Sequence, residues 1–238
     1  MTDLSEPHQA ALPIYLRISE LLGREIRSGR LPDGSRLPTE RALATELGIA
    51  VGTLRKALTV LQENGLIERV QGSGNYVRLR PEAATIYALF RLEKPGGGGL
   101  PTAEILSVQT LPKPADAPGF GPSPMAHRFR RLRSLDGVPV ALEDIWLDAG
   151  RAGEIDRAAV SESLYYYYGK ALGIFVGQGE DQVGVSHVPD WTDPRFGLPE
   201  GAACGYIERL TRDQAGDPFE FSRTWFDQTR CRYVARLK

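Results

Sequence analysis

The chain has 238 residues, of which 42% are hydrophobic and 25% charged, with a formal net charge of −1. This composition excludes a disordered or fibrous chain, and no apolar run reaches the roughly 18 residues that a membrane span needs. Two cysteines, Cys204 and Cys231, are too few for a disulfide scaffold and fit a reducing compartment. The first residues also lack the pattern of a secretory signal, so we expect a cytoplasmic protein with no membrane partner.

The charge is unevenly distributed along the chain. Residues 1–80 carry 11 basic and 9 acidic side chains, whereas residues 81–238 carry 18 basic and 21 acidic ones. The first third is therefore mildly basic, which permits DNA binding at that end of the chain.

Three helices are predicted in the first 65 residues. Apolar residues at spacings of three and four indicate a first helix from Ile14 to Ile26, with Gly29 just past its end. Thr39 is a good N-cap for a second helix, which Gly48 interrupts. The third helix ends at Gly65. Its predicted core face consists of Leu54, Ala57, Leu58 and Leu61.

A β-hairpin follows the helices. Strands at 66–70 and 75–80 flank Gln71-Gly72-Ser73-Gly74, whose glycines can take the positive φ of a turn. The small Ala44, the turn residue Gly48 and the apolar Leu54 have the spacing of a helix-turn-helix. The hairpin would then be its wing.

The rest of the chain is predicted to be rich in strands. Residues 81–101 are interpreted as a linker, with Gly96–Gly99 as a flexible tether. Asp136-Gly137 is a strong signal for a hairpin between strands at 128–135 and 138–147. The other predicted elements are a strand after Thr102, a helix from Ser163 to Gly173, and strands at 174–187, 203–212, 218–226 and 231–237. The prediction is thus an α+β chain with domains at 10–80 and 102–238, the second built on an antiparallel sheet.

Residues 31–77 resemble the winged helix-turn-helix of the GntR family of bacterial transcription regulators. The segments that carry the resemblance are 34–44, 53–58, 65–69 and 72–77. The chain departs from the family at Ala50-Val51, where members usually have Ser or Thr followed by Arg. The resemblance implies that double-stranded operator DNA is a partner.

Side-chain chemistry within this motif indicates how DNA would be contacted. Arg55, early in the third helix, can bind a guanine edge through two hydrogen bonds, and Lys56 suits a phosphate. Outside such a motif, Arg41 and Arg55 would be read as solvated surface charges. The predicted DNA-binding residues are Arg36, Thr39, Arg41, Thr53, Arg55, Lys56, Arg69, Gly72, Ser73 and Gly74.

Residues from about 103 to the end resemble the UTRA domain, the ligand-sensing half of the HutC subfamily, whose fold is like that of chorismate lyase. The resemblance rests on 131–140, Glu143, 163–165 and 216–222, with a closing segment at 230–237. It implies a small-molecule effector, often a sugar phosphate, that lies on the sheet. Phe226-Asp227 stands where the family has a Tyr-Arg pair.

The residues themselves fit an anionic, hydroxylated ligand. Arg131 and Arg133 alternate by two, so both point to one sheet face and can hold a phosphate or carboxylate. Ser163 offers a hydroxyl at a helix start. The predicted effector-binding residues are Arg131, Arg133, Glu143, Ser163, Tyr165, Glu220 and Ser222. Three alternatives stay open: the arginines pair with acids on neighbouring strands, Ser163 is only a cap, and the glutamates are structural partners of the arginines.

We therefore predict a ligand-responsive DNA-binding repressor that acts as a homodimer and is released by a phosphorylated sugar or a carboxylate. No enzyme activity, cofactor or metal is expected, since His8, His127 and His187 are scattered and form no catalytic set. The alternatives are a chorismate-lyase-like enzyme, which turnover of aromatic acids would reveal, and a DNA-binding protein without a ligand.

Overall fold

The computed structural model describes residues 12–27, 29–78 and 89–235. The chain divides into two compact units, whose main parts are Leu12–Phe90 and Arg91–Tyr233. Within the described residues, no helix is both long enough and apolar enough to span a membrane.

The first unit consists of three helices and a two-stranded antiparallel hairpin, as the periodicity predicts. The elements are α1 (Ile14–Arg27), α2 (Glu40–Glu46), α3 (Val51–Glu63), β1 (Ile67–Val70) and β2 (Gly74–Val77). Thr39 caps α2, because its Oγ1 accepts the Ala42 N–H at 3.3 Å. One apolar core joins all five elements, and it includes Ile26, Leu54 and Val77. This core fixes which face of α3 is left for solvent.

The second unit is a six-stranded antiparallel sheet. Its strands are β4 (Pro101–Pro112), β5 (Met125–Leu135), β6 (Val138–Asp148), β7 (Val176–His187), β8 (Ala203–Asp213) and β9 (Pro218–Phe226), and their order in the sheet is β4-β5-β6-β9-β8-β7. The short helix α4 (Leu164–Tyr167) continues as a π-helical turn to Leu172. Leu164 and Tyr168 pack in one core with Phe129 of β5 and Phe219 of β9. The α4 segment therefore covers one face of the sheet.

The predicted turn between β5 and β6 is confirmed. Asp136 and Gly137 have φ angles of 49° and 78°, the positive pair that a type I′ turn requires. The Asp136 carboxylate also accepts the Leu100 N–H at 2.8 Å. The turn thus fixes both its own hairpin and the entry to β4.

Two expectations need correction. Residues 91–101 are not a tether: β3 (Leu92–Glu93) pairs with β10 (Arg232–Tyr233), and the Gly98 N–H donates to the Glu93 carboxylate at 3.3 Å. Of the last strand predicted at 231–237, the described residues 231–235 contain only the two-residue strand Arg232–Tyr233, which pairs with the two residues of β3. Residues 81–88 of the expected linker lie outside the described residues.

Candidate DNA-binding surface and effector site

The helix α3 presents its charged residues to solvent. It begins after Ala50, whose side chain makes no capping hydrogen bond. Leu54 and Ala57 are buried in the core, and this burial turns the intervening Arg55 and Lys56 outward. Val51, which replaces the arginine common in the family, packs against the core and offers no charge.

Glu40 links three elements on this surface. Its carboxylate accepts a hydrogen bond from Arg55 Nε at 2.7 Å and lies 3.5 Å from Arg69 Nη2. Arg69 also donates from Nε to the Asn75 carboxamide oxygen at 3.3 Å. Both cations are exposed, so the pairs contribute little stability. What they do is hold two guanidinium groups in fixed directions on one face.

Contacts within the wing also stabilise its conformation. The hydroxyls of Ser73 and Tyr76 are 2.7 Å apart, and Gly74 has a φ of 131°. A Cβ at Gly74 would lie 3.2 Å from Arg36 Nε, so glycine lets the Arg36 side chain pass close to the wing. The wing tip, Arg36 and Arg69 therefore form one continuous surface with the start of α3.

The predicted DNA-binding residues fall into three groups. Arg36, Arg55 and Arg69 are tied together through Glu40 and the wing, along with the turn residues Gly72, Ser73 and Gly74. Arg41 and Lys56 are exposed beside Glu40 and Arg55 in the chain. Thr39 already uses its side chain as a cap, and Thr53 is half-buried. The sequence analysis missed Glu40, Asn75 and Tyr76.

In the second unit, two buried arginines share one carboxylate. Arg131 Nη2 lies 2.7 Å from Glu143 Oε2, and Arg133 Nη2 lies 3.2 Å from the same atom. The exposed fractions of all three residues are between 4% and 6%. The prediction that both arginines point to one face is thus confirmed. So is the alternative that they pair with an acid on the neighbouring strand.

This cluster is charged and buried. Burial alone would raise the pKa of the Glu143 carboxyl, but the guanidinium groups of Arg131 and Arg133 outweigh it and hold the pKa below its usual value. Burial lowers the pKa of Arg131. Two guanidinium groups therefore share the Glu143 carboxylate, and the Glu220 carboxyl also lies close enough to Arg131 to attract it.

Glu220 is the second buried acid on this face. Its Oε1 accepts hydrogen bonds from Thr211 at 3.0 Å and from Tyr165 at 3.1 Å. Burial is the main cause that raises its pKa. The Tyr168 hydroxyl also faces this carboxyl. Within the described part of the chain, Tyr168 Oη and Glu220 Oε2 face each other and neither makes a hydrogen bond of good geometry to any other group.

The α4 segment closes over the cluster. Arg131 Nη1 donates to the Glu162 carbonyl at 3.2 Å, and the Ser163 hydroxyl accepts the Tyr166 N–H at 3.4 Å. Ser163 therefore acts as a cap, which is one of the two roles that the sequence allowed. The Tyr165 hydroxyl bonds to Glu220. The rings of Tyr165 and Tyr168 pack against each other, with centroids 6.1 Å apart.

The sheet register adds residues that the sequence analysis missed. Glu220 is opposite Thr211, and Ser222 is opposite Arg209. The Arg209 guanidinium donates to Asp181 at 2.5 and 2.6 Å and lies beside the Tyr165 hydroxyl. The sequence shows that Arg209 and Thr211 alternate by two along β8. Only the pairing of β8 with β9 places these two residues on this face.

The arrangement suits binding. The structure joins Arg131, Arg133 and Glu143 in one ion-pair cluster. Tyr165 bonds to Glu220, whose carboxyl interacts electrostatically with Arg131. Ser163 follows Glu162, whose carbonyl accepts a hydrogen bond from Arg131. Ser222 is buried on the same face. Buried cations, acids and hydroxyls on one face recognise an anion that also carries hydroxyl groups.

Comparison with known families gives two matches. The family of bacterial regulatory proteins called gntR matches residues 14–77, and the UTRA domain matches residues 97–232. Together they cover both compact units.

Relatives resemble the chain over nearly its whole length. The HTH-type transcriptional regulator SmoD of Agrobacterium fabrum is 50% identical over 96% of this chain and 97% of its own length. The HTH-type transcriptional repressor NagR of Bacillus subtilis is 26% identical over 95% of each chain. The Escherichia coli repressor MngR, named for a mannosyl-D-glycerate transport and metabolism system, is 28% identical over 90% of this chain and 92% of its own.

A solved structure shares the fold. The crystal structure of possible transcriptional regulator YydK from Bacillus subtilis has a TM-score of 0.53 and 20% identity, covering 95% of this chain and 100% of that one.

Proposed function

This chain belongs to the GntR family of bacterial regulatory proteins and carries a UTRA domain, and we propose that it is a repressor. A small anionic metabolite that carries hydroxyl groups would release it from its operator. The chain is a DNA-binding transcription regulator with an effector domain, and its relatives are regulators rather than enzymes. We also propose that it is a member of the HutC subfamily, which its combination of the two domains supports. Two of its relatives are named repressors.

The observation that carries the effector class is the pair of buried arginines around one carboxylate. Arg131 and Arg133 both bind the Glu143 carboxylate, so a phosphate or carboxylate of a ligand can join or replace that carboxylate on the guanidinium groups. Glu220, Ser222 and the tyrosines offer partners for hydroxyl groups. The name of the Escherichia coli relative also concerns a sugar derivative that ends in a carboxylate.

Release would begin at the contact between β5 and the α4 segment. An anion that reorients Arg131 also disturbs its hydrogen bond to the Glu162 carbonyl, one residue before the Ser163 cap. The ligand needs a preference of only about 1–3 kcal/mol for the non-binding form to weaken DNA binding 5- to 150-fold.

At the DNA, the proposal assigns base reading to Arg55 and Thr53 at the start of α3. Phosphate contacts fall to Arg36, Arg41, Lys56 and Arg69, and the wing turn approaches the backbone or minor groove. Two protomers would read two half-sites about one or more helical turns apart. Because the target is chromosomal DNA, we place the protein in the cytoplasm. We propose domain boundaries near residues 80 and 91, so that the linker is limited to the segment between them.

Selection of genomic DNA fragments on the purified full chain tests the proposal, followed by anisotropy titration of the recovered site. We expect one preferred sequence, and a phosphorylated sugar or sugar acid from a panel raises its Kd at least fivefold. The matched control is the neutral sugar that corresponds to each active compound, which leaves the Kd unchanged. Recovery of no preferred site refutes a sequence-specific regulator. A preferred site whose Kd no anion changes refutes the effector.

A further inference from the structure

Asp181, near the middle of β7, joins two parts of the second unit. On one side, its carboxylate accepts two hydrogen bonds from the Arg209 guanidinium, at 2.5 and 2.6 Å. On the other side, its Oδ2 accepts a hydrogen bond from the Tyr233 hydroxyl at 2.7 Å. The side chains of Asp181 and Arg209 are only 11% and 15% exposed. One largely buried carboxylate therefore bridges β8 and β10, two strands that belong to different sheets.

The ion pair between Asp181 and Arg209 is rigid. Burial alone would raise the pKa of the Asp181 carboxyl, but the hydrogen bonds and the charge of Arg209 outweigh it and hold the pKa below its usual value. The Tyr233 hydroxyl and the charge of Arg91 act in the same direction. Two parallel hydrogen bonds keep a guanidinium and a carboxylate in one fixed geometry. A movement of Arg209 is therefore passed to the bond between Asp181 and Tyr233.

The Arg209 end of this chain of contacts lies in the proposed effector site. Arg209 lies beside the Tyr165 hydroxyl. That hydroxyl donates to Glu220 Oε1 at 3.1 Å and lies 3.5 Å from the Thr211 hydroxyl. Because a tyrosine hydroxyl has a single hydrogen to donate, a ligand hydroxyl that bonds to Tyr165 or Glu220 must change this arrangement. Arg209 is the charged neighbour on which that change acts next.

The Tyr233 end lies where the chain enters and leaves the second unit. The main part of that unit begins at Arg91 and ends at Tyr233. The paired strands β3 (Leu92–Glu93) and β10 (Arg232–Tyr233), which we call the ribbon, place Tyr233 opposite Leu92. Arg91, which directly precedes the ribbon, is also attracted to Asp181. The segment that comes from the first unit is thus attached to a ribbon that Asp181 holds.

Stability alone does not account for this ion pair. Apolar residues of similar size often replace a buried ion pair at no cost in stability, and the neighbouring Glu180 and Gln182 of β7 are exposed. What Asp181 and Arg209 supply is direction, because each of their hydrogen bonds has a defined partner and geometry. The pair is therefore suited to pass a displacement from one end to the other.

We propose that Arg209, Asp181 and Tyr233 are positioning residues that form a relay from the effector site to the ribbon, and that the effector opens the bond between Tyr233 and Asp181. The inference rests on the proposed function and deepens it, because it names the residues through which the site acts on the segment that leads to the first unit. The direction follows from the contacts. An effector that draws Tyr165 or Glu220 away disturbs Arg209, so the closed relay belongs to the form that binds the operator.

Amide hydrogen exchange on the full chain tests the relay without DNA or effector. Tyr165→Phe removes the hydroxyl beside Arg209, and the amides of the ribbon should then exchange about threefold faster or more, because exchange reports local opening. The matched control is Tyr206→Phe, which removes a hydroxyl that donates to Glu208 at 2.8 Å on the opposite face of β8 from Arg209. Its ribbon should exchange at the parent rate. A Tyr165→Phe ribbon that exchanges at the parent rate, or no faster than that of Tyr206→Phe, would overturn the relay.

Operator affinity tests what the ribbon does. Tyr233→Phe removes the bond to Asp181 but keeps the ion pair, and should raise the operator Kd about threefold or more with no effector present. Tyr165→Phe should also raise it, and in the double variant the two effects should not multiply, because both interrupt one relay. Tyr206→Phe should leave the Kd at the parent value.

Effects that multiply, or a Tyr233→Phe chain that binds the operator as tightly as the parent, would overturn the relay. If that chain still releases its operator when a phosphorylated sugar or sugar acid from the panel is added, the proposed function stands and only this inference fails.

Discussion

Arg55 donates to the Glu40 carboxylate at 2.7 Å, so the α3 residue predicted to read DNA is held by the first residue of α2. Because Glu40 also lies near Arg69, one acid sets the direction of two cations before DNA arrives.

We expect Arg55→Ala to weaken binding to the operator by about 1–3 kcal/mol, while binding to a scrambled duplex changes much less. The reason is that a guanidinium paired with a guanine edge discriminates between bases. Anisotropy titrations on both duplexes measure the difference. Arg30→Ala removes the same charge from an ion-paired arginine of the same unit and should affect both duplexes alike. Equal losses on the two duplexes for Arg55→Ala would contradict base reading.

Lys56→Ala should reduce the slope of log Kobs against log salt concentration by about one unit, since one phosphate contact is lost. Its effect should be similar on all sequences. Titrations between about 50 and 200 mM salt give the slope. Lys170→Ala, an exposed lysine of the second unit, serves as the control. An unchanged slope would show that Lys56 does not contact phosphate.

Arg133→Ala should abolish the effect of the effector on DNA binding while operator affinity without effector stays at the parent value. The variant removes one of the two guanidinium groups that would hold the anion. Arg128→Ala is the control, because Arg128 lies on the same strand but bonds to Asp144 at 2.7 Å on the other face. Release of Arg133→Ala by the same effector concentration would place the ligand elsewhere.

Glu143→Gln should destabilise the second unit by about 3–5 kcal/mol, because two buried guanidinium groups lose their carboxylate. Added phosphate should restore much of the loss if an anion can take that place. Thermal unfolding with and without phosphate at constant ionic strength measures both effects. Glu104→Gln, an exposed acid paired with Arg195, should change little. Destabilisation that phosphate leaves untouched would argue against an anion site.

Glu220→Gln should raise Tm near pH 8 and have a smaller effect near pH 5. Burial raises the pKa of Glu220 in the folded state, so the folded chain binds this proton more tightly than the unfolded chain does. Stability from this group is therefore full below the unfolded pKa and is lost as pH rises through the folded one. Glutamine keeps an acceptor for Tyr165 and Thr211 without the charge. A Tm difference that is the same at both pH values would contradict this assignment.

Sequence patterns that involve only neighbouring residues predicted most of the fold. The spacing of Leu54 and Leu58 indicated which face of α3 is buried, and Asp136-Gly137 indicated a type I′ turn, because both signals depend only on neighbouring residues. The same holds for the shared face of Arg131 and Arg133, which strand alternation alone implies.

Features that depend on distant partners were not predictable in this way. Residues 91–101 look like a flexible segment, but a turn tied to Glu93 and the pairing of β3 with β10 order them. Arg209 and Thr211 enter the effector site only because β8 pairs with β9. Glu40, an ordinary helix-start acid by sequence, gains its role from Arg55, which is 15 positions further along the chain.

If the effector binds where we propose, the carboxylate of Glu143 gives that site a built-in selectivity threshold. An incoming molecule must compete with an acid that is tethered beside Arg131 and Arg133, and a tethered group acts at a very high local concentration. Abundant simple ions offer a charge and little else, so they lose that competition at ordinary cellular levels. A metabolite succeeds only when its remaining groups add contacts of their own, which lets the regulator ignore the background of common salts.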